Sequence, residues 1–142
     1  VVFVSGKPAK DQYRKFKIHI TGKANDFAMM EETIRRRLNH TEWKFPEIII
    51  VDGGKGQLSS AKKAFSQHEE KTKEKLSIKL SAIAKQHNEL FFPGSAKPIL
   101  LATLPSDISN LILHIRDEAH RFAITYHRKL RANRIIQTEK TD

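Results

Sequence analysis

Asp52 closes the apolar part of the run EIIIVDGGKGQL, residues 47–58, and is the residue of this chain best placed to do chemistry. Ile48 to Val51 form a continuous β-branched run, the pattern of a strand buried on both faces. A carboxylate delivered at a strand end beside flexible glycine backbone is a common way to place a hard-metal ligand. Backbone N–H groups of residues 54–57, at the start of the next helix, would favour a phosphate nearby, and Lys55 adds charge. Two familiar phosphate loops do not fit. The G-x-x-x-x-G-K-[ST] pattern fails because Ile49 stands five before Gly54 and Gly56 replaces the hydroxyl residue. The G-x-G-x-x-G fingerprint fails at Ser59. A tight turn into a helix explains the glycines but leaves the aspartate unexplained.

A second stretch, RDEAH at 116–120, reads as part of a long helix. Its likeness to the helicase box of the same letters is chance, because that box follows a strand and needs an upstream phosphate loop. Arg116 and Asp117 precede His120 by four and three positions and share its helix face. A single histidine at the margin of an apolar stripe is more often structural than catalytic. With carboxylates gathered at a sheet end it becomes a ligand or proton carrier. Asp26, at the first turn of another helix, is sufficiently explained as a capping acid. No H-E-x-x-H pattern points to a zinc protease.

These residues need elements to hold them. VVFVS (1–5) reads as a strand, followed by turn chemistry at Gly6-Lys7-Pro8. YRKFKIHI (13–20) alternates, with Phe16, Ile18 and Ile20 on one face and Lys15, Lys17 and His19 on the other. It predicts a half-buried basic strand paired with 1–5 as a hairpin. Asn25 or Asp26 caps a helix to about residue 40, with Phe27, Met30, Ile34 and Leu38 as its apolar stripe. Pro46 breaks the chain before Ile48–Val51. A helix follows over 57–69, then a solvated run HEEKTKEK (68–75), then a strand over 76–84. Glu89–Phe92 and Pro98–Leu101 form a short hairpin around Pro93-Gly94. Ser106 caps a long helix to about residue 132, with Ile108, Ile112, Ile115, Ala119, Phe122 and Tyr126 as its core stripe. The order β-β-α-β-α-β-(ββ)-α predicts a mixed sheet with helices on its faces and a ligand site at the strands' carboxyl ends, where Asp52 sits.

Composition narrows the partner. The 142 residues suffice for one domain with a core. Lys plus Arg number 26 against 16 acids, a formal net charge of +10, which favours a polyanion, most often nucleic acid. Apolar runs stop at four or five residues, too short to span a membrane, and the first residues carry no secretory-signal pattern. The absence of cysteine excludes disulfides and thiolate metal sites.

Taken together, VVFVSGKPAKDQYRKFKI, DFAMMEETIRRRL, EIIIVDGGKGQL, ELFFPG and RDEAHRFAITYHRKLR closely resemble the C-terminal nuclease half of the UvrC family, the endonuclease component of the ABC excinuclease. The resemblance covers nearly the whole chain. It implies an α/β fold, a ribonuclease-H-like mixed sheet flanked by helices. It also implies a divalent-metal-dependent endodeoxyribonuclease of bacterial nucleotide excision repair, using Mg²⁺ or Mn²⁺ for the 5′ incision beside a lesion. Asp52 matches the family's strand-end catalytic carboxylate, His120 its histidine on the last helix, and Asp26 a third position associated with activity. The implied metal ligands are Asp52 and His120. Damaged double-stranded DNA is the implied substrate, UvrB the implied partner of the full-length protein, and the bacterial cytoplasm the implied location. Lys15, Lys17, Lys55, Arg116 and Arg121 are the expected phosphate contacts. The family's first catalytic aspartate, in an FDIS-type stretch, would precede Val1. The expected domain therefore covers 1–135 as a partial nuclease lacking its first, central strand, with a polar tail at 136–142, unstable and inactive alone. A non-catalytic nucleic-acid-binding module is the competing expectation; a small-molecule phosphate enzyme using GGKG is disfavoured by the failed loop patterns.

Overall fold

The computed structural model describes residues 1–18 and 26–139. The chain divides into two compact units, one of residues 16–104 and one of residues 1–15 with the segment from Pro105 onward. No helix among the described residues is long and apolar enough to cross a membrane.

The larger unit holds α1 (Asp26–Asn39), β3 (Ile48–Asp52), α2 (Lys55–Thr72), β4 (Lys79–Ala84), β5 (Glu89–Phe91) and β6 (Ile99–Leu100). Its four strands form one mixed sheet in the order β3-β4-β5-β6. β3 and β4 run parallel, with Asp52 opposite Ile83. The β4–β5 and β5–β6 pairs are antiparallel, as the hairpin around Pro93-Gly94 requires. α1 and α2 cover one sheet face. Ile34, Leu38, Leu58, Ala61, Ala64 and Phe65 pack there against Val51, Leu80, Ala82 and Phe91. Leu38, Ala61 and Ala64 are completely buried, and the two alanines let α2 approach the sheet closely. Phe27 to Gly56 and Glu31 to Lys63 are neighbouring pairs, so the two helices run in the same direction. A stacked His40–Trp43 pair and the bond from Arg37 to the Lys44 carbonyl close the turn after α1.

The β-branched run at 48–51 is a strand, but it is not buried on both faces. Among the described residues β3 ends the sheet, Ile48 is 45% exposed, and only Val51 of the run is buried. A continuous apolar run thus marks a strand without revealing whether both its edges are paired. α2 also extends beyond the expected helix, to Thr72, because the charged run after His68 stays helical.

The smaller unit contains β1 (Phe3–Val4), β2 (Lys7–Pro8) and α3 (Ser106–Glu139). Among the described residues the expected hairpin between 1–5 and 13–20 does not form. β1 pairs with β2 instead. The reason is local: Ser5 and Gly6 have φ of 51° and 79°, the two positive values that a two-residue hairpin turn demands. Residues 10–12 make a single 3₁₀ turn and 13–18 are not in a strand; His19 and Ile20 lie outside the described residues. α3 continues to Glu139, past the expected end near 132 and into the segment read as a polar tail.

Residues 1–15 pack along one stripe of α3. The Phe3 ring meets His114 edge-on at 5.0 Å, and Tyr13 meets Phe122 at 5.1 Å. Lys15 Nζ lies 5.0 Å above the Phe122 ring and 5.4 Å above Tyr126. Positions 114, 118, 122 and 126 recur every four residues, the spacing of one helix face. The aromatic members of the expected core stripe therefore serve the N-terminal segment. Ile108, expected in the core, is 44% exposed.

Candidate active site

Asp52 is the last residue of β3, and its side chain is exposed. Strand alternation sends Ile49 and Val51 into the core beneath α1 and α2, so Asp52 projects from the opposite sheet face. Its backbone is held by the neighbouring strand β4. The register pairs it with Ile83, and the next N–H, of Gly53, donates to the Ile83 carbonyl at 2.8 Å. The carboxylate itself makes no side-chain hydrogen bond or ion pair among the described residues. Acceptor capacity is left open on a fixed backbone, which is what a ligand for an incoming group requires.

The glycines have separate tasks. Gly53 has φ of +147°, and the Gln57 side chain occupies the space where a β-carbon would stand. Gln57 Oε1 accepts the Gly54 N–H at 3.0 Å, tying the loop to the first turn of α2. Gly56 lies against the Phe27 ring, so a β-carbon there would collide with it. Only Gly54 faces open space. Two of the three glycines are thus needed for packing. The Phe27–Gly56 contact has a further effect. It brings the first turn of α1, and with it Asp26, to the start of α2 just beyond Asp52.

His120 lies on α3, in the other compact unit, with its side chain exposed. Of the expected phosphate contacts, Lys55 donates to the Ala96 carbonyl at 3.4 Å and lies above Phe91. Lys15 sits over two rings, and Arg116 pairs with its neighbour Asp117 at 3.3 Å. The Lys17 side chain is exposed. Arg121 belongs to a cluster not expected from the sequence. Glu118 Oε1 accepts from Tyr13 Oη at 3.1 Å and from Arg121 Nη2 at 2.6 Å, while its Oε2 accepts from Arg121 Nε at 2.8 Å. The Arg121 hydrogen bonds, aided by Tyr13, hold the Glu118 carboxyl down at about 2. Burial, reinforced by Glu118, raises the Tyr13 phenol. The i,i+3 Glu118–Arg121 spacing was a readable sign of this pair; the long-range Tyr13 partner had none.

Asp52 offers the donor type that a hard divalent cation prefers. Among the described residues no three His, Cys, Asp or Glu side chains come together as a metal cage. Mg²⁺ is commonly held by one or two carboxylates together with substrate phosphate oxygens and water, and a single exposed carboxylate suits that mode.

Comparison with known proteins identifies the family of the chain. The family model described as the UvrC RNAse H endonuclease domain matches residues 1–124. UvrABC system protein C of Prosthecochloris aestuarii is 44% identical over the whole chain, which covers 22% of that protein. The protein of the same name from Dictyoglomus thermophilum is 44% identical over 97% of the chain, again 22% of its own length. That from Methanosphaera stadtmanae is 43% identical over 93% of the chain. The chain thus spans about a fifth of the length of the curated relatives it matches. A strand-end aspartate, a mixed sheet backed by two parallel helices and a family match over most of the sequence lead to one conclusion: the chain belongs to the UvrC RNAse H endonuclease domain family.

Proposed function

We propose that this chain is the nuclease part of a DNA-repair excision system, hydrolysing a phosphodiester 5′ to a lesion with Mg²⁺ or Mn²⁺. The observation that carries the reading is the exposed Asp52 at the end of a fixed strand, its carboxylate without a side-chain bond among the described residues, in a chain of this family. Asp52 provides the oxygen donor. His120 provides a second donor or carries a proton, and Asp26, brought toward the same loop by Phe27, supports the site. A divalent metal bound there would neutralise charge on the leaving oxygen and orient the attacking water. β3 holds the Asp52 backbone still, and the start of α2 offers N–H groups to a phosphate. Residues 1–135 would act as one nuclease domain, in the bacterial cytoplasm, on damaged duplex and with UvrB as partner.

The test is cleavage of a lesion-bearing duplex with Mn²⁺ present or chelated, in the full-length protein that contains this chain. Metal-dependent cutting on the 5′ side of the lesion, lost in Asp52→Asn, is the expected result. Binding without cutting under every metal condition would favour the non-catalytic module.

A further inference from the structure

One face of α3 is taken by the N-terminal segment, through His114, Glu118, Phe122 and Tyr126. At about 100° per residue, the opposite face carries Arg116, His120, His127, Arg131 and Arg134. Between Glu118 and Glu139 the helix has five Lys or Arg residues and no acid. His127, Arg131 and Arg134 are exposed. From Arg116 to Arg134 this face extends about 27 Å, enough to reach several successive phosphates of one strand. The family match stops at residue 124, so the part of the face bearing His127, Arg131 and Arg134 lies outside the matched region.

We infer that this face of α3 is a track for the sugar–phosphate backbone of duplex DNA, leading away from His120 along His127, Arg131 and Arg134. The inference deepens the nuclease reading and rests on it for the identity of the polyanion. Charge selects the occupant, since every ionised side chain from 119 to 138 is cationic. An anionic membrane surface fits less well. The exposed Ile124 and Ile135 share their side of the helix with Arg128 and Arg131, so no continuous apolar face is available for insertion. The track also separates two kinds of cation. Lys15 and Arg121 are already engaged by Phe122, Tyr126 and Glu118, whereas His127 and Arg131 on the His120 face are open to solvent.

The experiment is a salt titration of duplex binding by the full-length protein, in chains carrying Asp52→Asn so that cleavage does not intrude. Arg131→Gln and Lys129→Gln each remove one charge, two positions apart and on nearly opposite faces. Arg131→Gln should weaken binding several-fold near 0.1 M salt and lower the log–log salt slope by about one unit. Lys129→Gln should leave the slope unchanged. Equal effects of the two substitutions would overturn the track, because only overall charge would then matter. So would displacement of the duplex by vesicles of anionic phospholipid. Unchanged helix content by circular dichroism separates lost contact from lost fold. The nuclease reading is scored separately by metal-dependent cleavage in the parent. Binding that depends on Arg131 without any cleavage would sink that reading and keep the track, and cleavage with equal binding losses would do the reverse.

Discussion

At the end of β3 the Asp52 carboxylate is exposed and makes no side-chain bond among the described residues, while its backbone is pinned to Ile83. On α3 the Glu118 carboxylate is 12% exposed, and both of its oxygens are occupied by Arg121 and Tyr13. Asp52 has a rigid base and an open head. Glu118 spends its acceptors inside the fold. An acid with open acceptors serves an incoming ligand; an acid whose acceptors are filled by its own helix and by a distant segment holds that segment to the helix. The same test sorts the cations. Arg121 is committed to Glu118, whereas Arg131 faces water.

The largest effect that would break the contrast is on catalysis. Asp52→Asn keeps shape and removes charge, and cleavage should fall by more than the roughly 10–100-fold typical of groups that only support a metal site. Its melting temperature should stay near that of the parent, since no bond to Asp52 is lost. Glu118→Gln should behave oppositely, lowering the melting temperature while reducing the cleavage rate far less. Parallel turnover and thermal-melt measurements on both variants decide it. A Glu118→Gln chain as inactive as Asp52→Asn would place both carboxylates in the chemistry.

A smaller effect sharpens how the Asp52 loop is held. Gly56→Ala places a methyl group against the Phe27 ring, and such overpacking costs about 1–3 kcal/mol. Phe27→Ala in the same chain removes the collision. The double variant should therefore be more stable than the sum of the single losses, by a coupling readable in denaturant unfolding. Additive losses would mean that Phe27 does not bring α1 to the loop.

Most of this architecture could be read from residue order, and the failures have identifiable causes. The α1 stripe, the 48–51 strand, the hairpin around Pro93-Gly94 and the long last helix were legible because each carries its own period or turn signal. Alternation over 13–20 does not by itself specify pairing: residues 13–18 are in no strand, and Ser5-Gly6 closes a shorter hairpin first. That β3 is not buried on both faces was hidden, since an apolar run does not say what lies beside it. Asp52 stood out because a lone acid after four β-branched residues is rare. Glu118 did not, because RDEAHR is crowded with charges and the one that matters for folding is chosen by Tyr13, more than a hundred positions away.

The last and smallest effect follows from the charge on Glu118. Its carboxyl lies at about 2 in the folded chain, against 4.5 for an unperturbed glutamate, because the Arg121 and Tyr13 hydrogen bonds favour the ionised form. A depressed folded value means that the unfolded chain binds the proton first. The stabilisation is therefore complete above about pH 4.5 and fades as pH falls toward 2. In that window the contact of Tyr13 with α3 should loosen in the parent. Protonated Glu118 can still accept one bond but loses its charge-assisted pair with Arg121. Glu118→Gln has already lost that charge, so its stability should be lower at neutral pH and fall less steeply between pH 4.5 and 2. Other carboxylates titrate in both chains, and the difference between the two curves isolates Glu118. Tyrosine fluorescence and thermal melts across the window provide the reading. Parallel curves for the two chains would show that Glu118 is an ordinary surface acid, and the contrast with Asp52 would then rest on the sheet end alone.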